Sequence, residues 1–150
     1  MGTTLADLRT TLRLTLSGSS DWPDATLDAW IQDAIRFYSV EFPRRLRHTQ
    51  SLTTGTQAYA LPGGHGFMSV LTVEYPSGQT PQQFVTQVAE DSVEFASGGD
   101  YFCLRGPGDA IADMKDDTAA GYIVFAETVA TGESAIITYT GLHTIPTAGD

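Results

Sequence analysis

The sequence contains a single cysteine, Cys103, so no disulfide can form within the chain and its stability must come from packing. The surrounding residues "DYFCLR" predict a small buried side chain on a strand. No apolar run approaches the roughly 18 residues that a membrane helix needs. The beginning, "MGTTLADLRT", lacks the basic-then-apolar order of a signal peptide. We therefore expect a soluble protein without a membrane partner, made in a cytoplasm.

Positive charge is scarce beyond residue 47. The first 47 residues hold six basic and six acidic side chains, whereas residues 48–150 hold two basic and twelve acidic ones, for a net charge of −10. A conventional nucleic-acid binder needs many cationic contacts to phosphate, so this distribution argues against that class. It indicates a surface that repels polyanions and stays in solution.

Recognisable catalytic motifs are also missing. There is no GxSxG, and the glycine-rich turns "LPGGHG" and "GPGD" lack the lysine and serine of a phosphate loop. The histidines at 48, 65 and 143 do not share a metal-ligand spacing. The acidic loop "GDAIADMKDD" does not follow the alternating pattern of a calcium loop, although a hydrolase or an ion site using Asp109–Asp117 stays the least favoured alternative. We predict no enzyme activity, no cofactor and no metal.

Two helices are expected at the start of the chain. Thr4 and Asp7 form a capping-box pattern before a leucine stripe, which predicts a first helix from about residue 4 to residue 16. The stretch "WPDATLDAWIQDAIRFYSVEFPRR" then has the best periodic signal in the sequence, with Asp21 or Asp24 as a possible cap and Pro43 as the stop. A short link between two such helices predicts an αα-hairpin.

From His48 onward the apolar rhythm changes to period two. Short runs rich in β-branched and aromatic residues alternate with Gly- and Pro-containing turns. These runs are "QSLTT", "QAYAL", "MSVLTVEY", "QQFVTQV", "SVEFA", "YFCLR", "YIVFA" and "AIITYT". The pattern predicts an α+β fold: a helical hairpin over residues 1–47 that serves as a docking element, followed by an antiparallel β-sandwich or small barrel over residues 48–150 as one compact unit.

The junction between these parts carries the candidate contact residues. Basic side chains suit the negative end of a helix, and arginines equally suit pairing with acidic residues of a neighbouring copy or with DNA phosphate. The aromatic residues near the end of the second helix exceed what a small hairpin needs to cover. The candidates for contacts with partners or with other copies are Arg36, Tyr38, Phe42, Arg44, Arg45 and Arg47.

The same region carries a family resemblance. Its elements are a tryptophan, a cap region, Asp-Ala, Leu-Asp, a helix ending in Tyr-Ser, and then Pro-Arg; "VEYPSG" and "YTGLH" follow later in the expected order. The residues that carry the pattern are Trp22, Asp24, Ala25, Leu27, Asp28, Ala34, Tyr38, Ser39, Pro43, Arg44, Val73, Glu74, Tyr75, Pro76, Gly78, Tyr139, Gly141, Leu142 and His143. The sequence thereby resembles the head-to-tail connector proteins of tailed phages, also called adaptor or neck proteins.

This resemblance implies a structural protein located in the neck of a virion. It implies a ring of identical copies, often twelve, that contacts the portal protein and the tail or neck proteins. DNA would pass through the ring without sequence-specific binding. A β-sandwich module that binds a carbohydrate or a host surface through a helical anchor is the alternative, and exposed aromatic side chains on one β face would favour it.

Overall fold

The computed structural model describes residues 4–16, 22–62, 67–106, 121–127 and 132–144. They form two compact units. The helical unit comprises the described residues of Met1–Arg44 and Leu142–Asp150, and the sheet unit comprises those of Arg45–Gly141. The predicted aspartate-rich loop and His65 lie outside the described residues. Among the residues described, no helix is long and apolar enough to cross a membrane.

The helical unit contains α1 (Leu5–Thr15) and α2 (Asp24–Glu41). The capping box is confirmed: the Thr4 hydroxyl accepts from the Asp7 backbone N–H at 3.1 Å, while the Asp7 carboxylate accepts from the Thr4 backbone N–H at 3.0 Å. The cap expected for α2 is different, because Pro23 occupies that position and makes no side-chain cap, and Asp24 is the first helical residue.

The acidic side chains at the start of α2 bind arginines of α1 instead. Arg9 donates two hydrogen bonds of 2.5 Å to the Asp28 carboxylate, and Arg13 donates to Asp24. These charged hydrogen bonds connect α1 to α2. The sequence predicted that these two helices pack together as an αα-hairpin. The hydrogen bonds from Arg9 hold the pKa of Asp28 below its usual value, against a smaller opposing effect of burial.

We expect the stability of the helical unit to decline in acid through Asp28. Because its folded-state pKa is depressed, its contribution is complete above the unfolded-state pKa of about 3.9 and is lost as pH falls through the folded-state pKa. Both tryptophans, Trp22 and Trp30, lie in this unit, so their fluorescence during denaturation at several pH values reports its unfolding. Asp28→Asn should be less stable at pH 7 and less sensitive to acid; an unchanged acid dependence would contradict the assignment.

The sheet unit is one curled, half-barrel sheet of seven strands in the order β1-β7-β3-β4-β5-β6-β2. Its elements are β1 (Arg44–Ser51), β2 (Ala58–Ala60), β3 (Phe67–Glu74), β4 (Phe84–Gln87), α3 (Val93–Ala96), β5 (Tyr101–Arg105), β6 (Tyr122–Phe125) and β7 (Ser134–Gly141). The fold class predicted from the sequence, helices followed by a β domain, is confirmed.

Successive side chains along each strand point alternately to an inner face and an outer face of the sheet. The inner face carries the main core: Leu52, Tyr59, Leu61, Val73, Val85, Phe102, Ile123, Phe125, Ala135, Ile137 and Tyr139. On the outer face, Phe95 of α3 packs on Ala58, Cys103 and Val124. The helix α3 therefore covers the outer side of β2, β5 and β6.

Three details of the sheet differ from the sequence prediction. The segment "SVEFA" contains the short helix α3 rather than a strand, because the Ser92 hydroxyl accepts from the Phe95 backbone N–H and caps it. The first strand begins at Arg44, within a polar stretch that has little β propensity. The β4–β5 pair is parallel, whereas β2–β6, β3–β4, β3–β7 and β5–β6 are antiparallel as expected.

Candidate assembly surfaces

The second half of α2 leaves an apolar surface uncovered. The stripe predicted for this helix is buried only in its first part, at Leu27 and Ile31, whereas Ala34 and Tyr38 are exposed. Around Tyr38 lie further large apolar side chains that are more than half exposed. We call Phe37, Tyr38, Val40 and Phe42 the aromatic surface. Clusters of this kind on a protein surface commonly mark contacts with other molecules.

Two members of the aromatic surface are held in place by the chain that follows β7. The ring centroids of Tyr38 and Phe42 lie 5.1 Å apart, and those of Tyr38 and His143 lie 5.3 Å apart. His143 Nε2 donates to the Phe42 carbonyl at 2.9 Å, and its backbone N–H donates to the hydroxyl of Ser39 at 3.0 Å. These contacts fix the end of α2 within the helical unit.

Ser39 makes this attachment possible. It is fully buried, and its hydroxyl donates to the Ile35 carbonyl at 2.6 Å while accepting from His143. Beside it, a shallow groove of about 360 Å³ is lined by Ala34, Ile35, Tyr38, His143 and Thr144. Tyr38 belongs both to the aromatic surface and to this groove.

The predicted arginines lie in different places rather than in one basic cluster. Arg36 is exposed on α2 and pairs with Asp33 at 3.1 Å, and Arg44 donates to the Thr144 hydroxyl at 2.7 Å. Arg45 and Arg47 are exposed on the same face of β1, on either side of the inward Leu46. No basic residue lies in the last turn of α2. Arg44, Arg45 and Arg47 belong to β1, because Pro43 ends the helix and β1 pairs with β7.

A second depression lies on the outer face of the sheet unit. It measures about 330 Å³ and crosses four neighbouring strands, β1, β7, β3 and β4. We call it the arginine pocket; it is lined by Arg45, Arg47, Thr72, Glu74, Gln82, Phe84 and Thr138. Phe84 is 54% exposed there, so the pocket combines an uncovered ring with two cations.

Glu74 forms the floor of the arginine pocket and is almost fully buried. Its carboxylate accepts from the Gly78 backbone N–H and from Gln82 Nε2, both at 2.9 Å. Arg47 approaches it only to 3.9 Å and keeps 62% of its side chain exposed. The carboxylate is therefore satisfied mainly by neutral donors, and the two arginines remain able to bind a further anion.

The sequence indicated some of these residues and missed others. Tyr38, Phe42 and Arg44 come together in the helical unit, and Arg45 and Arg47 come together in the sheet unit. Ser39 appeared only as part of the resemblance, and His143 appeared there and among the histidines that do not share a metal-ligand spacing. Glu74, Phe84 and Thr138 were missed as a site: alternation places them opposite the core residues Val73, Val85 and Ile137, but only the strand order brings them together.

The described residues contain no group of three or more histidine, cysteine or acidic side chains arranged to hold a metal ion. Cys103 is buried as predicted, and burial, with a smaller effect of Glu90, raises the pKa of its thiol. A raised pKa favours the thiol over the nucleophilic thiolate.

Comparison with known families agrees with the resemblance noted from the sequence. No curated protein and no solved structure matches the chain. The family model described as SU10 adaptor protein matches residues 3–146, which is nearly the whole chain and includes the aromatic surface and the arginine pocket. The chain therefore belongs to the SU10 adaptor protein family, a family of phage head-tail adaptors.

Proposed function

We propose that the chain is a head-to-tail connector whose copies form a ring between the portal protein and the tail or neck proteins. Family membership makes it a structural component of a phage virion that interacts with head or tail proteins. The observation that carries the finer proposal is the aromatic surface: its four side chains are more than half exposed, and two of them, Tyr38 and Phe42, are contacted by His143. Twelve copies is the number that the resemblance implies.

The aromatic surface is suited to a contact with another virion protein. Phe37 is 73% exposed and Phe42 is 62% exposed. Burial of these rings in an interface would therefore remove a large apolar area from water. Aromatic residues dominate the energetics of protein interfaces when they enter a partner's pocket. The adjoining groove offers a complementary depression for a side chain of that partner. Arg36 and Arg44 border this region and would add polar contacts.

The charge distribution supports a DNA channel through the ring. Residues 48–150 hold two basic side chains against twelve acidic ones. An acidic lining repels phosphate, so it would let the genome pass without retaining it and without reading its sequence. In this proposal the protein is made in the host cytoplasm and functions in the virion neck, through assembly rather than catalysis.

Ring formation can be tested directly with the purified protein. Light scattering gives its mass, and negative-stain images are taken of the chain alone and after mixing with the portal protein. We expect closed rings, at least on the portal, because a head-to-tail contact between two different patches closes into a ring when the rotation permits. A chain that remains monomeric both alone and with portal, tail and neck proteins would contradict the proposal.

The alternative of a module that binds a carbohydrate or a host surface receives no comparable support. It would need several exposed aromatic rings on one β face. Within the part of the sheet unit that the structure describes, the large exposed apolar side chains include one aromatic ring, Phe84; the others are Met68, Leu71 and Val93.

A further inference from the structure

The arginine pocket contains two arginine side chains whose positive charges are not closely paired with a carboxylate in the described part of the chain. No ion pair of Arg45 occurs among the residues that the structure describes, and Arg47 reaches its nearest carboxylate, that of Glu74, only at 3.9 Å. That carboxylate already accepts two hydrogen bonds from Gln82 and Gly78. The pocket therefore presents two exposed guanidinium groups beside the half-exposed ring of Phe84. A ligand that fits it carries carboxylates next to an apolar group.

The sheet unit itself displays such a segment at α3. In the sequence "EDSVE" of residues 90–94, Glu90 pairs with Arg105, while the side chains of Asp91 and Glu94 point to solvent. Between them stands Val93, which is 82% exposed and is the most exposed large apolar residue described. We call Asp91, Val93 and Glu94 the acidic ridge.

The acidic ridge cannot fill the pocket of its own chain while α3 stays where it is. Phe95, on the same helix, packs on Ala58, Cys103 and Val124 and fixes α3 over the outer side of β2, β5 and β6. The arginine pocket lies over β1, β7, β3 and β4. The two surfaces do not share a residue, so one copy can present both of them at the same time.

We infer that the arginine pocket of each copy binds the acidic ridge of the next copy. Asp91 and Glu94 pair with Arg45 and Arg47, and Val93 covers Phe84. Opposite charges and two uncovered apolar groups are thereby matched in a single contact. Because pocket and ridge are different patches, the contact is head-to-tail and repeats from copy to copy. The inference rests on the proposed connector function and specifies which surfaces join its subunits.

Charge reversal in trans tests this contact with the full-length chain. Variant A carries Arg45→Glu and Arg47→Glu, and variant B carries Asp91→Lys and Glu94→Lys. In each variant pocket and ridge have the same sign, so we expect self-association to weaken about 100-fold or more. In an equimolar mixture every pocket again meets a ridge of opposite charge, so association should return. Sedimentation analysis up to about 1 mM covers the range of weak contacts.

Two controls separate this contact from general charge effects. Arg45→Lys with Arg47→Lys keeps the positive charge and should retain most of the association. Asp100→Lys alters an exposed carboxylate of the same unit outside the ridge, and it should weaken association less than Glu94→Lys does. Circular dichroism confirms that each variant is folded.

Several outcomes would overturn the inference. These are A and B each associating as the wild type does, a mixture no stronger than either variant, or a wild-type chain that stays monomeric at the highest concentration. Loss in variant A of binding to duplex DNA or to a purified tail protein, with self-association unchanged, would assign the pocket to a different occupant. None of these results decides the connector proposal, which is judged separately by ring formation on the portal.

Discussion

A chain carrying Phe37→Glu and Phe42→Glu is expected to fold normally and to be left out of virions. Both side chains are more than half exposed, so their replacement leaves the described core intact. Burial of one phenylalanine side chain contributes about 1.5–3 kcal/mol, so loss of two removes about 3–6 kcal/mol from the contact. That corresponds to a decrease in affinity of about 10²- to 10⁴-fold.

The measurement is the amount of the variant in particles from cells in which it replaces the wild-type chain. Ala25→Glu with Ala29→Glu provides the matched control, because both alanines are exposed on the same helix, before the aromatic surface. This control should enter virions at the wild-type level. Equal incorporation of the two variants would show that the aromatic surface is not a partner contact.

Ile137→Ala is expected to destabilise the sheet unit by about 2–5 kcal/mol. Ile137 is fully buried on β7, which lies between β1 and β3, so its removal leaves a cavity bordered by the main core. Such a loss is a large part of the stability of a typical domain. Chemical denaturation followed by circular dichroism gives the change in the free energy of unfolding.

Ile136→Ala is the matched control for this core substitution. Ile136 is the same residue type one position earlier on β7, and it lies on the outer face with partial exposure. Its loss should cost clearly less than the loss of Ile137. Similar costs at the two positions would contradict the assignment of inner and outer faces.

The helices could be predicted well because their signals are local. The Thr4–Asp7 capping box lies within four residues, and Pro43 ends α2 through its effect on the preceding residue. The degree of burial along α2 could not be predicted in the same way. Periodicity shows that a helix has an apolar face, but it does not show whether this chain or another molecule covers that face.

The sheet was harder to predict wherever tertiary contacts override propensity. β1 has Leu46 as its single apolar residue, and it becomes a strand through its pairing with β7, which follows some 90 residues later. The alternation in "SVEFA" is equally compatible with one helical turn once Ser92 caps it. The arginine pocket depends on four strands that are distant in sequence, so local patterns gave no sign of it.

The central claim is that this chain joins head and tail, and removal of its gene from the producing phage or prophage tests that claim most directly. Electron micrographs of the particles should then show heads and tails that are separate, and expression of the wild-type chain from a plasmid should restore joined particles. Intact tailed particles at the normal yield in the absence of the chain would contradict the account.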